Sequence, residues 1–200
     1  NGGGVGFQWT YDGDGDNKFH LWSYDASDYA ISGAVTITAN QWYHYAVTRQ
    51  DDTLRFYIDG VQQTSQAFTE TMSNPDVVLT VGAYTSNGNG DIPASYLDEI
   101  RISKLCRYPD GSTFTPSTTA FTDDINTVLL LNADINQGTW AEDTSTGLAI
   151  STDSRMKFDG DAANYLALAD STDWDYGTDN HTIEFWVNPN NTTGTQYIYD

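Results

Sequence analysis

Carboxylates dominate the reactive side chains of this sequence: 28 Asp and Glu stand against 8 Lys and Arg, a formal charge of −20 over 200 residues. Four of the acids are Glu (Glu70, Glu99, Glu142 and Glu184) and the rest are Asp. Retaining glycoside hydrolysis needs two carboxyl groups about 5 Å apart, one as acid and one as nucleophile. No two of these Glu stand close enough in sequence to supply both from one strand. His20, His44 and His181 have no Ser or Cys nucleophile context, and G-x-S-x-G is absent, so acyl transfer lacks its parts as well. His44 sits inside an apolar strand pattern, where packing or hydrogen bonding is the expected role. The residue supply points away from an enzyme.

Asp in loops suits calcium, which takes 6–8 oxygens from carboxylates and carbonyls. Asp12-x-Asp14-x-Asp16 has the spacing with which a twelve-residue calcium loop opens. It departs at Asn17, where such a loop has Gly, and at Ser23, where it has Glu. A hairpin tip is therefore the leading reading of Asp12, Asp14 and Asp16, with calcium second. Asp51/Asp52 and Asp123/Asp124 read as solvated turn residues. Asp hydrogen-bonds nearby backbone and favours turns, and Asp-Gly pairs at 12–13, 14–15, 59–60, 110–111 and 159–160 agree.

The charge excludes partners too. Eight basic residues cannot neutralise a row of phosphates or dock on anionic lipid. Cys106, the single cysteine, rules out an intrachain disulfide and a CxxC metal site. No apolar run is long enough to span a membrane. The sequence shows neither an initiator Met nor a signal peptide, and is expected to be a piece of a longer chain.

Positioning falls to strands. Period-2 patterns rich in aromatic and β-branched residues predict strands at Phe7–Tyr11, Phe19–Tyr24, Ala34–Ala39, Trp42–Arg49, Thr53–Ile58 and Val77–Tyr84. Six more are predicted at Tyr96–Ser103, Thr127–Ala133, Arg155–Phe158, Tyr165–Ala169, Thr182–Val187 and Thr195–Tyr199. Many short strands separated by Asp, Gly and Asn point to an antiparallel sandwich. Gln50-Asp51-Asp52 and the acidic tip 12–17 mark two local hairpins, and Arg107–Asp124 reads as an extended connector. Trp42, Trp186 and Phe185 belong by default to the core, whereas loop-borne Trp140, Trp174 and Tyr176 are candidates to stack on sugar rings or on a neighbouring subunit.

The two ends read as complementary. Tyr197-Ile198-Tyr199-Asp200 joined to Asn1-Gly2-Gly3-Gly4-Val5-Gly6-Phe7 would give strand, turn, strand. Each end reads as half of a hairpin whose other half lies at the opposite end. A tandem array cut at an arbitrary point is the leading explanation, and a circularly rearranged single domain is the alternative.

Asn40-Gln41-Trp42-Tyr43-His44-Tyr45-Ala46-Val47-Thr48-Arg49, followed by Leu54-Arg55-Phe56-Tyr57-Ile58-Asp59-Gly60, resembles laminin G-like domains of the concanavalin A-like superfamily. Val81-Gly82, Leu97-Asp98-Glu99-Ile100-Arg101-Ile102, Phe158-Asp159-Gly160 and Thr182-Ile183-Glu184-Phe185-Trp186-Val187 are similar to further family segments. The resemblance implies an all-β antiparallel jelly-roll sandwich whose segment order is circularly offset. Residues 1–106 would be the later strands, 107–124 a connector, and 125–200 the early strands of the next copy, or of the same sandwich if permuted. It also implies a structural calcium ion at Asp98 with oxygens around Asp159, Gly160 and Asp161. The E-x-D-x-x-E arrangement of sugar-cleaving relatives is missing.

These readings converge on a non-enzymatic extracellular repeat of a fibre, sheath, cell-surface or virion-tail protein, stabilised by calcium. Its partners would be neighbouring copies, with glycans as further candidates, and no nucleic acid and no membrane insertion. A calcium-dependent carbohydrate-binding module is the alternative. Self-repulsion at −20 is screened by salt and relieved by bound cations, so the melting temperature should rise with either. A melting temperature indifferent to both NaCl and Ca²⁺ would contradict this.

Overall fold

A computed structural model describes residues 7–12, 18–23, 28–31, 36–72, 79–82, 94–133, 149–150, 155–158, 160, 165–193 and 195–199. For 7–12, 18–23, 28–31, 149–150, 195–199 and Trp174 it describes the backbone alone. The strands are β1 (Phe7–Asp12), β2 (Lys18–Ser23), β3 (Asp28–Ile31), β4 (Tyr43–Gln50), β5 (Thr53–Ile58), β6 (Val61–Ala67) and β7 (Leu79–Val81). They continue with β8 (Ser95–Ser103), β9 (Thr127–Leu131), β10 (Ala149–Ile150), β11 (Met156–Phe158), β12 (Leu166–Leu168), β13 (His181–Pro189) and β14 (Thr195–Tyr199).

They form two antiparallel sheets, β12-β7-β14-β1-β2-β3 and β10-β11-β8-β13-β4-β5-β6, with β9 paired to β8. This is the expected concanavalin A-like sandwich. Alternation accounts for its interior. Tyr43, Tyr45 and Val47 of β4 and Ile183, Phe185 and Val187 of β13 join one buried cluster with Leu79 and Val81 of β7 and Leu166 of β12. The core thus lies between the sheets.

Strands from the two ends of the sequence interleave. β13 lies between β4 and β8, and β14 pairs antiparallel with β1 (Trp9↔Tyr199, Thr10↔Tyr197). The hairpin-like complementarity of the ends is met here within one chain.

Four strand expectations change, since β3, β6 and β10 are not among the predicted strands and one predicted strand is missing among the described residues. Residues 36–39 form no strand; Thr38 N donates to the Tyr43 hydroxyl at 2.8 Å, and Asn40 N to the Pro189 carbonyl at 2.7 Å. This segment leads from β3 in one sheet to β4 in the other, so its β-branched residues serve a crossing. Conversely, β6 (VQQTSQA) lacks an alternating apolar pattern and pairs because the turn before it demands it. Asp59 and Gly60 have φ of 50° and 75°, the two left-handed positions of a two-residue hairpin, and Ile58 faces Val61.

β8 carries a bulge opposite β13, with Glu99 at φ 53°. The extra residue resets the alternation, so Leu97, Ile100 and Ile102 all enter the core while Arg101 faces the other side.

Gly82 has φ +84°, and a Cβ there would sit 2.3 Å from the ring of Phe158, which is itself fully buried. Gly82→Ala should therefore cost roughly 2–4 kcal/mol, from left-handed strain plus overpacking. Urea unfolding that shows a loss below about 1 kcal/mol would contradict this packing.

Candidate functional site

The central strands β4, β13 and β8 are buried on both faces. One face meets the other sheet. The opposite face carries His44 and Thr48 of β4, Thr182 and Glu184 of β13, and Arg101 and Ser103 of β8, all but Arg101 fully buried. A solvent-grade polar face is covered because residues 107–124 cross it. Phe114 N donates to the Gly60 carbonyl at 3.0 Å, Arg107 N to Thr182 Oγ1 at 2.9 Å, and Tyr57 hydroxyl to the Tyr108 carbonyl at 3.0 Å. The segment contains no strand, only a 3₁₀ turn at Pro109–Gly111. Its rings nonetheless pack inward: Phe121 is buried, Tyr108 and Phe114 stack, and Phe114 and Phe121 meet the His44 ring edgewise.

Glu184 is the focus beneath this cover, its side chain 0% exposed. Arg101 donates Nε to Oε1 at 2.8 Å and brings Nη2 within 2.6 Å of the same oxygen. The Tyr108 hydroxyl donates to Oε2 at 2.6 Å, and His44 Nε2 lies 3.3 Å from Oε2, which makes the imidazole the donor. Burial pushes the carboxyl pKa up, but the hydrogen bonds and charge of His44, Arg101 and Tyr108 outweigh it and hold the group below its usual range. Burial and the neighbouring Glu184 push the Tyr108 phenol well above its ordinary value. Tyr108 is thus a neutral donor to a carboxylate. That arrangement stabilises a charge; it does not poise a proton for transfer near neutral pH. Glu99 is engaged likewise, its carboxylate accepting from Phe121 N.

A second buried pair lies at the other end of β13. Arg49 donates to the carbonyls of Asp51 (3.0 Å), Glu70 (2.8 Å), Phe68 (3.1 Å) and Gly177 (3.2 Å), tying three loops to the end of β4. His181 faces it across the β4–β13 pairing, fully buried, with Nδ1 3.0 Å from the Asp179 carbonyl and Nε2 without a partner among the described residues. Burial drives the His181 pKa down to about 4, so the ring is neutral.

The residues singled out from sequence are described only in part. Asp98 Oδ1 accepts from Glu99 N at 2.9 Å and from Ala133 N at 3.4 Å. β11 meets β8 with Phe158↔Ser95 and Met156↔Leu97, which puts the Phe158 end three residues along β8 from Asp98, about 10 Å. The exposed Gly160 follows Phe158; Asp159 and Asp161 lie outside the described residues. Asp12 ends β1, and Asp14 and Asp16 lie outside the described residues, as does Trp140. Among the described residues no group of three His, Cys, Asp or Glu side chains gathers for a metal. Trp174 closes a 3₁₀ turn at Thr172–Trp174, and its side chain is outside the description. Tyr176 corrects its expectation: it is 2% exposed and stacked on His181 at 4.8 Å, an interior ring and no platform for a sugar.

Glu184 was missed as a site by sequence reasoning. Its signal was a lone carboxylate between apolar neighbours (Ile183, Phe185), with Arg101 alternating on another strand.

The model of the concanavalin A-like lectin/glucanases superfamily, laminin G type, matches residues 1–110, and the chain belongs to this family. Its laminin G-like domains are generally non-catalytic binding domains, carbohydrate-binding or adhesive. No curated protein and no solved structure matches the chain. Among the described residues no helix is long and apolar enough to cross a membrane.

His181 sets a pH dependence. Its folded pKa of about 4 lies below the 6.5 of an accessible ring, so the unfolded chain binds the extra proton between those values. Stability should be full above about pH 6.5 and fall on acidification towards pH 4, by up to about 3 kcal/mol from this group. Glu184, with a lowered pKa, adds its loss in the same direction as pH falls through its folded value. His181→Phe should flatten the slope between pH 6.5 and 4.5 in urea titrations; an unchanged slope would refute the assignment.

Proposed function

We propose that the chain is a non-catalytic extracellular adhesive module, carried as a repeat in a longer fibre, sheath or surface protein. Residues 1–106 and 125–200 supply complementary halves of its sandwich, and the repeat joins neighbouring copies in line. Calcium stiffens its Asp-rich loops, with Asp98 and the oxygens of Asp159, Gly160 and Asp161 as the first candidate ligands and Asp12, Asp14 and Asp16 as the second.

The observation that carries this reading is the state of Glu184. Its oxygens take donors from β4, β8 and the 107–124 segment, and that segment seals the sheet face above it. The buried carboxylate thus serves to hold a layer of the chain in place, as a structural module requires. Family membership and the −20 charge agree with a surface role. A calcium-dependent carbohydrate-binding module is the second reading, favoured by the family and by the exposed glycine turn at Gly160 (φ +89°) beside an Asp-rich segment.

Two copies joined head to tail should scatter X-rays as an extended rod that is stiffer in calcium than in EDTA. A tandem that behaves as freely jointed beads in both conditions would sink the repeat reading. Glycan-array binding by one copy, abolished by EDTA, would instead establish the second.

A further inference from the structure

The 107–124 segment is closed at its base. Arg107 donates through Nη1 and Nη2 to the two carboxylate oxygens of Asp124 at 3.0 and 3.1 Å, and Nη2 also reaches Thr127 Oγ1 at 3.2 Å. Lys104 N donates to the Asn126 carbonyl at 2.8 Å just outside. A surface loop with paired ends and packed side chains of its own is an Ω-loop in all but its slightly greater length. Its outer residues, including Ser112, Thr113, Thr115 and 117–120, are exposed, and there Ser117 and Thr119 hydrogen-bond each other.

The surface beneath is unusual for a buried one. It presents His44, Thr48, Thr182, Glu184 and Ser103, groups that water satisfies as well as protein does. Among the described residues His44 Nδ1 has no hydrogen-bond partner, so the cover does not complete its hydrogen bonding. Lifting the loop would rehydrate a polar sheet face and leave the core between the sheets intact. Opening would also give up the ring contacts of Phe121 with Arg101 (4.2 Å to the ring centre) and His44, and those of Tyr108 and Phe114 with Tyr57 and of Phe114 with His44.

We infer that residues 107–124 are a detachable cover that opens as a local unit on a folded sandwich, with the Tyr108–Glu184 hydrogen bond as its latch. The base clamp Arg107–Asp124 keeps the ends together in the open state, so the cover swings without unravelling. Opening uncovers a face bearing Glu184, Arg101, His44 and Tyr57.

Hydrogen exchange read by mass spectrometry on the full chain tests this. The amides of Phe114 and Phe121, which donate across the cover, should exchange faster than those of β4 and β13 in the unmodified protein. Tyr108→Phe removes the latch while keeping the ring and leaves Glu184 its other donors. It should speed cover amides about ten- to a hundredfold, the loss of one hydrogen bond to a charged group, with β4 and β13 unchanged. Glu184→Gln should act in the same direction. Cover and β13 amides that exchange together, or a Tyr108→Phe chain in which both accelerate equally, would overturn the proposal. Cover amides unmoved in both variants would overturn it as well.

Discussion

A carboxylate in the middle of the most enclosed strand of the sandwich must be matched where it stands. An unpaired buried carboxylate costs several kcal/mol, and Glu184 is matched from three directions at once: Arg101 on β8, His44 on β4 and Tyr108 on the covering segment. Those donors arrive only in one register. A slip of one residue along β13 would turn Glu184 into the apolar interior and Ile183 and Phe185 out under the cover. The β8 bulge belongs to the same constraint, because without the extra residue at Glu99 either Arg101 or the Leu97 and Ile102 side chains would face the wrong way. Pairing of the central strands, the bulge and the cover are therefore one solution to one electrostatic problem.

The opposite end of β13 is held by a different device. Arg49 donates to four carbonyls of chain segments that lie outside the strands. Its neighbour His181 stays neutral, so the pair does not place two cations side by side. Arg49 lies within the residues that match the family model, and both Arg49 and Glu184 work as anchors between strands and loops. Buried charges committed in this way fix loops to the sandwich, in a family whose laminin G-like domains are generally non-catalytic binding domains.

Much of the fold could be read from local signals. Aromatic and β-branched alternation located β4, β5, β8 and β13, and Asp51-Asp52 marked its hairpin. β13, from the later part of the sequence, lies between β4 and β8 from the earlier part. β6 escaped notice because an edge strand need not alternate when an Asp-Gly turn already dictates its pairing. Residues 36–39 misled because β-branched side chains also suit an extended crossing between sheets. Tyr176 misled for a related reason: a polar, Asp-rich neighbourhood says nothing about a ring that stacks inward on a buried histidine.

By itself, the sequence determined an all-β sandwich, its acidic turns, and an order of segments in which the two ends are complementary. Period-2 patterning and turn chemistry are properties of a few neighbouring residues, so they survive without tertiary context. Only the tertiary structure decided which polar groups are buried and what they hold. A period of two separates the faces of a strand, but it does not say what lies over each face. Glu184 becomes a buried anchor because residues more than 70 positions away, Arg101 and Tyr108, meet it through strand pairing and a covering loop.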